Sequence, residues 1–200
     1  MIKFENVSLK YQDNTVIDCL NYEFALGKVT AIIGDSGIGK TSLLNLLAGL
    51  QKISKGTLVC EYERLSYIFQ EPRLLPWLSA LENVSAVSNV NTAKEMLLLM
   101  GLEDSFNKYP SELSGGMKQR VSIARALAYS PDLILMDEPF ANLDPERRTR
   151  VCDVLFERIK GKTAILVTHD TDDLHYADVV LRLTSSPNSA LVNCIESGKK

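Results

Sequence analysis

The 200-residue chain is 46% apolar and 24% charged, proportions of an ordinary globular protein able to bury roughly 70% of its unfolded surface as one domain, with or without an inserted lobe. Its formal net charge of −3 offers no general surface to a polyanion, which excludes nucleic acid as a partner. Four scattered cysteines, Cys19, Cys60, Cys152 and Cys194, form no CxxC pair and have only two histidines to complete a metal site, so they read as reduced thiols of a cytosolic protein.

The opening "MIKFENVSLK" has no apolar leader, and no run approaches the roughly 20 apolar residues of a membrane-spanning helix. Ile2, Phe4, Val7, Leu9 and Tyr11 alternate with one slip, which predicts edge strands with a bend. "VTAIIG" is a short apolar run that stops at glycine, and "TSLLNLLAGL" has leucine at helical spacing; together they predict strand, glycine loop, helix. Residues of about 72–130, with "TAKEMLLLMGL" and "MKQRVSIARALA", predict an inserted helical lobe without a strand.

"PDLILMDEP" and "KTAILVTHD" are buried strands ending in polar residues, the pattern of a parallel sheet whose strand ends form a ligand crevice. The helix predicted between them has Asp144 as N-cap, Pro145 in its first turn, an apolar face of Val151, Val154, Leu155 and Ile159, and Gly161 to stop it. "SSPNSALVNCIESGKK" is turn-rich and too short for a regulatory domain.

"GDSGIGKT" places Gly34, Gly39, Lys40 and Thr41 at the spacing G-x-x-x-x-G-K-[ST]. Backbone N–H groups of such a loop face a β-phosphate, the helix adds its positive end, the lysine spans β and γ oxygens, and the threonine ligates magnesium. A plain glycine turn with a solvated lysine is the alternative, and the strand and helix on either side argue against it. Asp137 ends the apolar run "LILM", where a carboxylate can hold magnesium directly or through water, and Glu138 beside it can act as general base. A second anion-directed feature follows the same physics: in "ELSGGMKQR" a serine and two glycines open a helix rich in cations.

In this order "GDSGIGKTS", "LSGGMKQR", "LILMDEP", "ANLD" and "VTHD" resemble the nucleotide-binding subunit of an ABC transporter, and the likeness covers nearly the whole chain. "FQEPRLLPWLSALENV" is similar to importers of the nitrate, sulfonate and taurine type. The resemblance implies an α/β P-loop NTPase fold, with a mainly parallel sheet core flanked by helices and an N-terminal antiparallel β portion. It implies one domain over residues 1–200, core at about 1–71 and 131–200, helical lobe at about 72–130. It also implies ATP and Mg2+, held by Ser36, Gly37, Ile38, Gly39, Lys40, Thr41 and Ser42, with Thr41, Gln70 and Asp137 on the metal.

Residue by residue, the resemblance makes Tyr11 the aromatic that stacks on adenine, although the residues alone fit an ordinary half-buried tyrosine equally. Gln70 would reach magnesium and water, Asp144 would lie across a dimer seam, and His169 would contact the γ-phosphate and hold the attacking water with Glu138. Ser114, Gly115 and Gly116 would cap the γ-phosphate held by Lys40 of the partner subunit in a head-to-tail dimer of two copies, or of one copy and a homologous subunit. That pairing explains why one chain carries two anion sites.

The expected function is an ATP-hydrolysing energy subunit of an importer of a small solute such as a sulfonate or nitrate, peripheral on the cytoplasmic side of the membrane. Its partners would be an integral permease and, through it, an external solute-binding protein. Leu74, Leu75 and Trp77, in the segment that Pro72 and Pro76 hold extended, either receive the permease or fold back beneath the helical lobe. A soluble ABC-type ATPase uncoupled from transport is the rival; those of DNA repair and chromosome structure carry a long coiled coil between the two motifs, where only about 70 residues intervene here. Three departures from the pattern stand out. "ANLD" has Ala141 and Asn142 where serine and alanine are usual, the segments on either side of Gln70 are short, and "DTDDLHYAD" lacks one residue.

Overall fold

The computed structural model describes residues 1–12, 14–186 and 189–194. Its scaffold is a six-stranded sheet in the order β5-β6-β7-β3-β8-β9. The strands are β3 (Val29–Ile33), β5 (Leu65–Ile68), β6 (Leu133–Asp137), β7 (Thr163–Val167), β8 (Val179–Ser186) and β9 (Ser189–Cys194). All neighbours are parallel except β8 and β9. The "turn-rich" final stretch therefore contains a strand, antiparallel to β8; residues 187–188, 195–200 and the Cys194 side chain lie outside what is described. Cys19, Cys60 and Cys152 are free thiols.

A three-stranded antiparallel sheet, order β2-β1-β4, covers one face; it consists of β1 (Ile2–Tyr11), β2 (Asn14–Phe24) and β4 (Lys55–Cys60). The expectation of an edge position for the first strand is corrected: β1 is central, paired with β2 on one side and β4 on the other. Its slip in alternation is a bulge, with register breaking between Phe4 and Val7 and Asn6 at a left-handed φ of 49°. The bulge returns Val7 and Leu9 to the buried face that Ile2 and Phe4 occupy.

β6 and β7 are buried along their whole length. Alternate residues feed two cores, which is why a parallel strand covered on both faces reads as a continuous apolar run. Leu133, Leu135, Ile165 and Val167 meet the antiparallel sheet and α1 (Lys40–Leu47). Ile134, Met136, Ala164 and Leu166 meet the helices on the other face, which are α2 (Ala80–Ser85), α3 (Val90–Leu99), α4 (Gly115–Ala128) and α5 (Pro145–Arg158). α2 starts with a capping box, the Ser79 hydroxyl accepting from Glu82 N while Glu82 accepts from Ser79 N. No helix among the described residues is long and apolar enough to cross a membrane.

Candidate functional site

β3, β6 and β7 are adjacent and parallel, so their carboxyl ends deliver three segments to one place: the loop after Ile33, Asp137–Glu138, and Thr168–His169. A cavity of about 480 Å³ opens there, lined by the glycine loop and the first turn of α1, including Ser36, Gly37, Gly39, Lys40, Thr41 and Ser42, and by Gln70, Asp137, Glu138, Val167 and His169. A larger hollow of about 950 Å³ lies at the opposite end of the strands, beside Val29 and Lys162, and shares no residue with this constellation.

Gly39 caps α1 at φ 108° with its Cα against β2, where a Cβ would stand 2.8 Å from a methyl of Val16. Only glycine lets the loop close so tightly onto the antiparallel sheet. Lys40, 9% exposed, folds its ammonium back into the loop and donates to the carbonyls of Gly34 (2.7 Å) and Asp35 (2.8 Å). Ile38 packs its side chain onto the core instead of the cavity, and its N–H donates to Asp35 O at 3.3 Å. Tyr11, 45% exposed, closes the far side of the α1 N-terminus: its hydroxyl donates to Gln51 and lies 3.5 Å from Ser42 Oγ.

The Thr41 hydroxyl donates to Asp137 Oδ2 at 2.8 Å, across the gap between α1 and β6. Burial pushes the Asp137 carboxyl above the usual range; the Thr41 hydrogen bond opposes this, Glu138 adds to it, and Lys40 opposes it. The next residue turns sharply. Glu138 has a left-handed φ of 46° and its N–H donates to Val167 O at 2.9 Å. That turn directs its carboxylate between two side chains: Gln70 Nε2 donates to Oε2 at 3.2 Å, and His169 Nδ1 lies 3.2 Å from Oε1. Strain of this kind, about 1–3 kcal/mol, is tolerated where the surrounding structure dictates the backbone.

The structure thus brings Lys40, Thr41, Gln70, Asp137, Glu138 and His169 together, while Tyr11, Ile38, the Ser114–Gly116 tip and Asp144 do not line the cavity. Ser114 is the N-cap of α4, its hydroxyl accepting from Met117 N at 3.3 Å, with Ser114 and Gly115 exposed. A Cβ on Gly116 would stand 2.9 Å from Asn142 O, so α4 begins hard against the 141–143 loop. Asp144 is the N-cap of α5, accepting from Arg147 N at 3.1 Å, and is exposed.

Three supporting residues escaped the sequence reading. Gln119, fully buried in α4, donates to Phe69 O at 3.4 Å, bracing the segment that carries Gln70. Asn83 accepts from Leu75 N (2.8 Å) and donates to the carbonyls of Leu75, Leu78 and Ser79 (3.1, 2.8 and 3.0 Å). It thereby fixes a loop on which Leu74 packs inward while Leu75 and Trp77 are exposed, Trp77 by 69%. Arg148 donates to Asp170 and, at 2.7 Å, to Asp173. Burial opposes its charge, but those hydrogen bonds and the two carboxylates hold its pKa above the arginine range. Asp170 is held low by the Asp172 N–H first and Arg148 next. Arg148 is one of four arginines on α5, and no local pattern distinguishes it.

Comparison with known proteins agrees with this geometry. The family model described as "ABC transporter" matches residues 17–141. The chain is 42% identical over 178 residues, 86% of its length, to the aliphatic sulfonates import ATP-binding protein SsuB 2 of Pseudomonas syringae pv. syringae. It spans 65% of the length of that relative. Among solved structures it is similar to the dimeric structure of MJ0796, a bacterial ABC transporter cassette, with TM-score 0.88 and 28% identity over 98% of this chain and all of that one. The dimeric post-hydrolysis state of the same cassette, bound to ADP and Pi, gives TM-score 0.84 and 27% identity over the same shares. With the phosphate loop, the strand-end carboxylates and the α4 tip arranged as described, this chain belongs to the ABC transporter family.

Proposed function

We propose that the chain is the ATP-hydrolysing energy subunit of an importer, working as a head-to-tail pair on the cytoplasmic side of a membrane permease. The observation that carries this reading is the Glu138 carboxylate, held at 3.2 Å from both Gln70 Nε2 and His169 Nδ1 in the cavity that also contains Lys40. A carboxylate so placed can take a proton from an attacking water while the amide and imidazole orient that water. Lys40, whose ammonium rests on two loop carbonyls, would turn it toward the β and γ oxygens of ATP to hydrogen-bond them, with the N–H groups of the loop and the α1 N-terminus beneath them. Tyr11, beside Ser42, offers its ring to the adenine.

The donor set also fits magnesium: a hydroxyl and a carboxylate oxygen 2.8 Å apart, Thr41 and Asp137, with the Gln70 amide nearby, are hard oxygen ligands of the kind Mg2+ prefers. When bound, the ion neutralises charge developing on the transferred phosphoryl group. Asp137 holds a hard-cation ligand position and Thr41 keeps its carboxylate oriented.

Ser114, Gly115 and Gly116 supply the second half of each site from the other copy, donating the serine hydroxyl, the glycine N–H groups and the α4 dipole to a γ-phosphate. The exposure of Ser114 and Gly115 and the absence of the tip from the lining of its own chain's cavity, together with the dimeric cassettes that the fold matches, support the pairing. Leu75 and Trp77, held outward by Asn83, form the contact for the permease, and an external solute-binding protein would act only through that permease. The sulfonate-import relative favours a small anionic solute and disfavours a soluble ATPase uncoupled from transport.

Two variants test the composite site together. Ser114→Arg should slow hydrolysis by roughly 100-fold, as loss of a transition-state anion site does, although this residue lines no part of the cavity in its own chain. Lys40→Ala should do the same, and mixing the two inactive chains should restore hydrolysis, because one of the two seams then has both halves intact. No recovery on mixing, or full activity of Ser114→Arg, rejects the head-to-tail arrangement.

A further inference from the structure

We propose that Arg148 is a positioning residue for His169, tying the histidine to the helix turn that starts at Asp144. The inference rests on the reading of His169 given above and extends it to residues outside the cavity. The imidazole itself is poorly restrained, with a side chain 68% exposed and Glu138 as its recorded partner. Its two sequence neighbours are held firmly. Asp173, 3% exposed, accepts from the Thr168 hydroxyl at 2.6 Å and from Arg148 Nη2 at 2.7 Å. Arg148 Nη1 donates to Asp170, and the Asp170 N–H returns to Thr168 Oγ1 at 3.0 Å.

These bonds close a ring through residues 168, 170, 173 and 148, with His169 projecting from it. Thr168 is pinned through Asp173 and Asp170 is pinned directly, so one guanidinium fixes both ends of the peptide that carries the imidazole. A planar fork with two separated donors can serve two carboxylates at once; an ammonium at the end of a lysine cannot hold both in the same geometry. Partial burial of the pair makes each lost contact matter more than at an open surface.

The other end of this link is the seam loop. Arg148 N donates to Asp144 O at 2.8 Å, the first turn of α5, and Asp144 caps that turn. A helix turn moves as a unit, so a shift of Asp144 on contact with a second copy carries Arg148 with it, and with Arg148 the peptide under His169. The chain thereby connects engagement of the dimer seam to the placement of the group that faces Glu138.

Arg148→Lys and the milder Asp170→Asn should each lower kcat by roughly 10- to 100-fold, the effect of small misplacement of a reacting group, while ATP affinity changes less than about two-fold. A structural defect would do as much, so the deciding measurement is a double-mutant cycle with His169→Ala. Positioning through His169 requires that the double variants be no slower than His169→Ala alone; losses that multiply overturn the proposal. If His169→Ala hydrolyses ATP at the wild-type rate, the assigned role of His169 fails first. The imidazole NMR signals of the nucleotide-free protein then decide, since the chain has only two histidines. Arg148→Lys must displace or broaden the His169 signal, and an unchanged signal overturns the positioning itself.

Discussion

The glycine loop before α1 and the glycine tip of α4 both open a helix N-terminus, yet they are finished differently. In the loop, the groups that would meet phosphate have partners within the chain: Lys40 rests on two carbonyls, Thr41 on Asp137, and Gly39 against Val16. The tip is braced only from behind, with Gly116 against the Asn142 carbonyl and Gln119 on Phe69 O. In front, a Cβ at Gly115 would meet nothing within 4 Å. One region is closed by contacts within the chain, and the other presents a front that no neighbouring atom of the chain covers. The tip is anchored to the segments of Gln70 and Asp144, so whatever closes on its front also bears on the cavity's chemistry.

The largest expected effect concerns the first region. Glu138→Gln keeps the shape between Gln70 and His169 but removes the carboxylate proposed as base, so steady-state hydrolysis should fall by at least roughly 100-fold. Because binding groups are untouched, ATP should still bind and should accumulate a paired species detectable by sedimentation or size-exclusion chromatography. Hydrolysis near the wild-type rate would remove the cavity's claim to the chemistry and leave the comparison without its first term.

A smaller pair of effects sharpens the contrast at the tip, where two adjacent glycines should behave oppositely. Gly116→Ala forces a methyl toward a backbone carbonyl 2.9 Å away and should destabilise the single chain by about 1–3 kcal/mol, as overpacking does. Gly115→Ala enters open space and should leave the melting temperature unchanged or slightly raised, given the ~1 kcal/mol helix preference of alanine over glycine. Its hydrolysis should nonetheless drop, by roughly 10-fold or more for an obstructed transition-state contact. Full activity of Gly115→Ala would mean that nothing approaches the front of the tip during turnover.

What the sequence displayed and what it hid follow from the same contrast between local pattern and long-range contact. The ends of β3, β6 and β7 were legible because a strand buried on both faces must be apolar along its length, so the first polar residues, Asp137 and Thr168–His169, mark where it stops. The glycine spacing of the loop is likewise a local constraint. The central place of β1 was not legible, because its partners β2 and β4 lie on either side of β3 and α1 in the chain and carry interrupted apolar patterns. The apolar trio after Gln70 was ambiguous for a related reason: a buried asparagine eight residues after Leu75 decides that Leu74 turns in and Trp77 turns out. Arg148 sits among α5 cations that composition reads as a solvated face; only the fold brings Asp170 and Asp173 to it.

The smallest effect is one of stability, and its sign separates a site built for a ligand from one built for the fold. Burial raises the Asp137 pKa above the ordinary carboxylate value, and the Thr41 hydrogen bond and Lys40 only partly offset it. The folded chain therefore retains a proton there at pH values where the unfolded chain has released it. Stability from this group is present below the unfolded carboxyl pKa and is lost as pH rises through the higher folded one, leaving a net cost at neutral pH. Asp137→Asn keeps an oxygen to accept from Thr41 while removing the charge. In nucleotide-free protein at pH 7 it should raise the melting temperature by about 2–4 °C, the shift for ~1 kcal/mol in a domain of this size. With ATP and Mg2+ the order should reverse, because the wild-type carboxylate gains a cation that the amide holds poorly. A lower melting temperature for the nucleotide-free variant would show that the charge serves the fold as well as the cation.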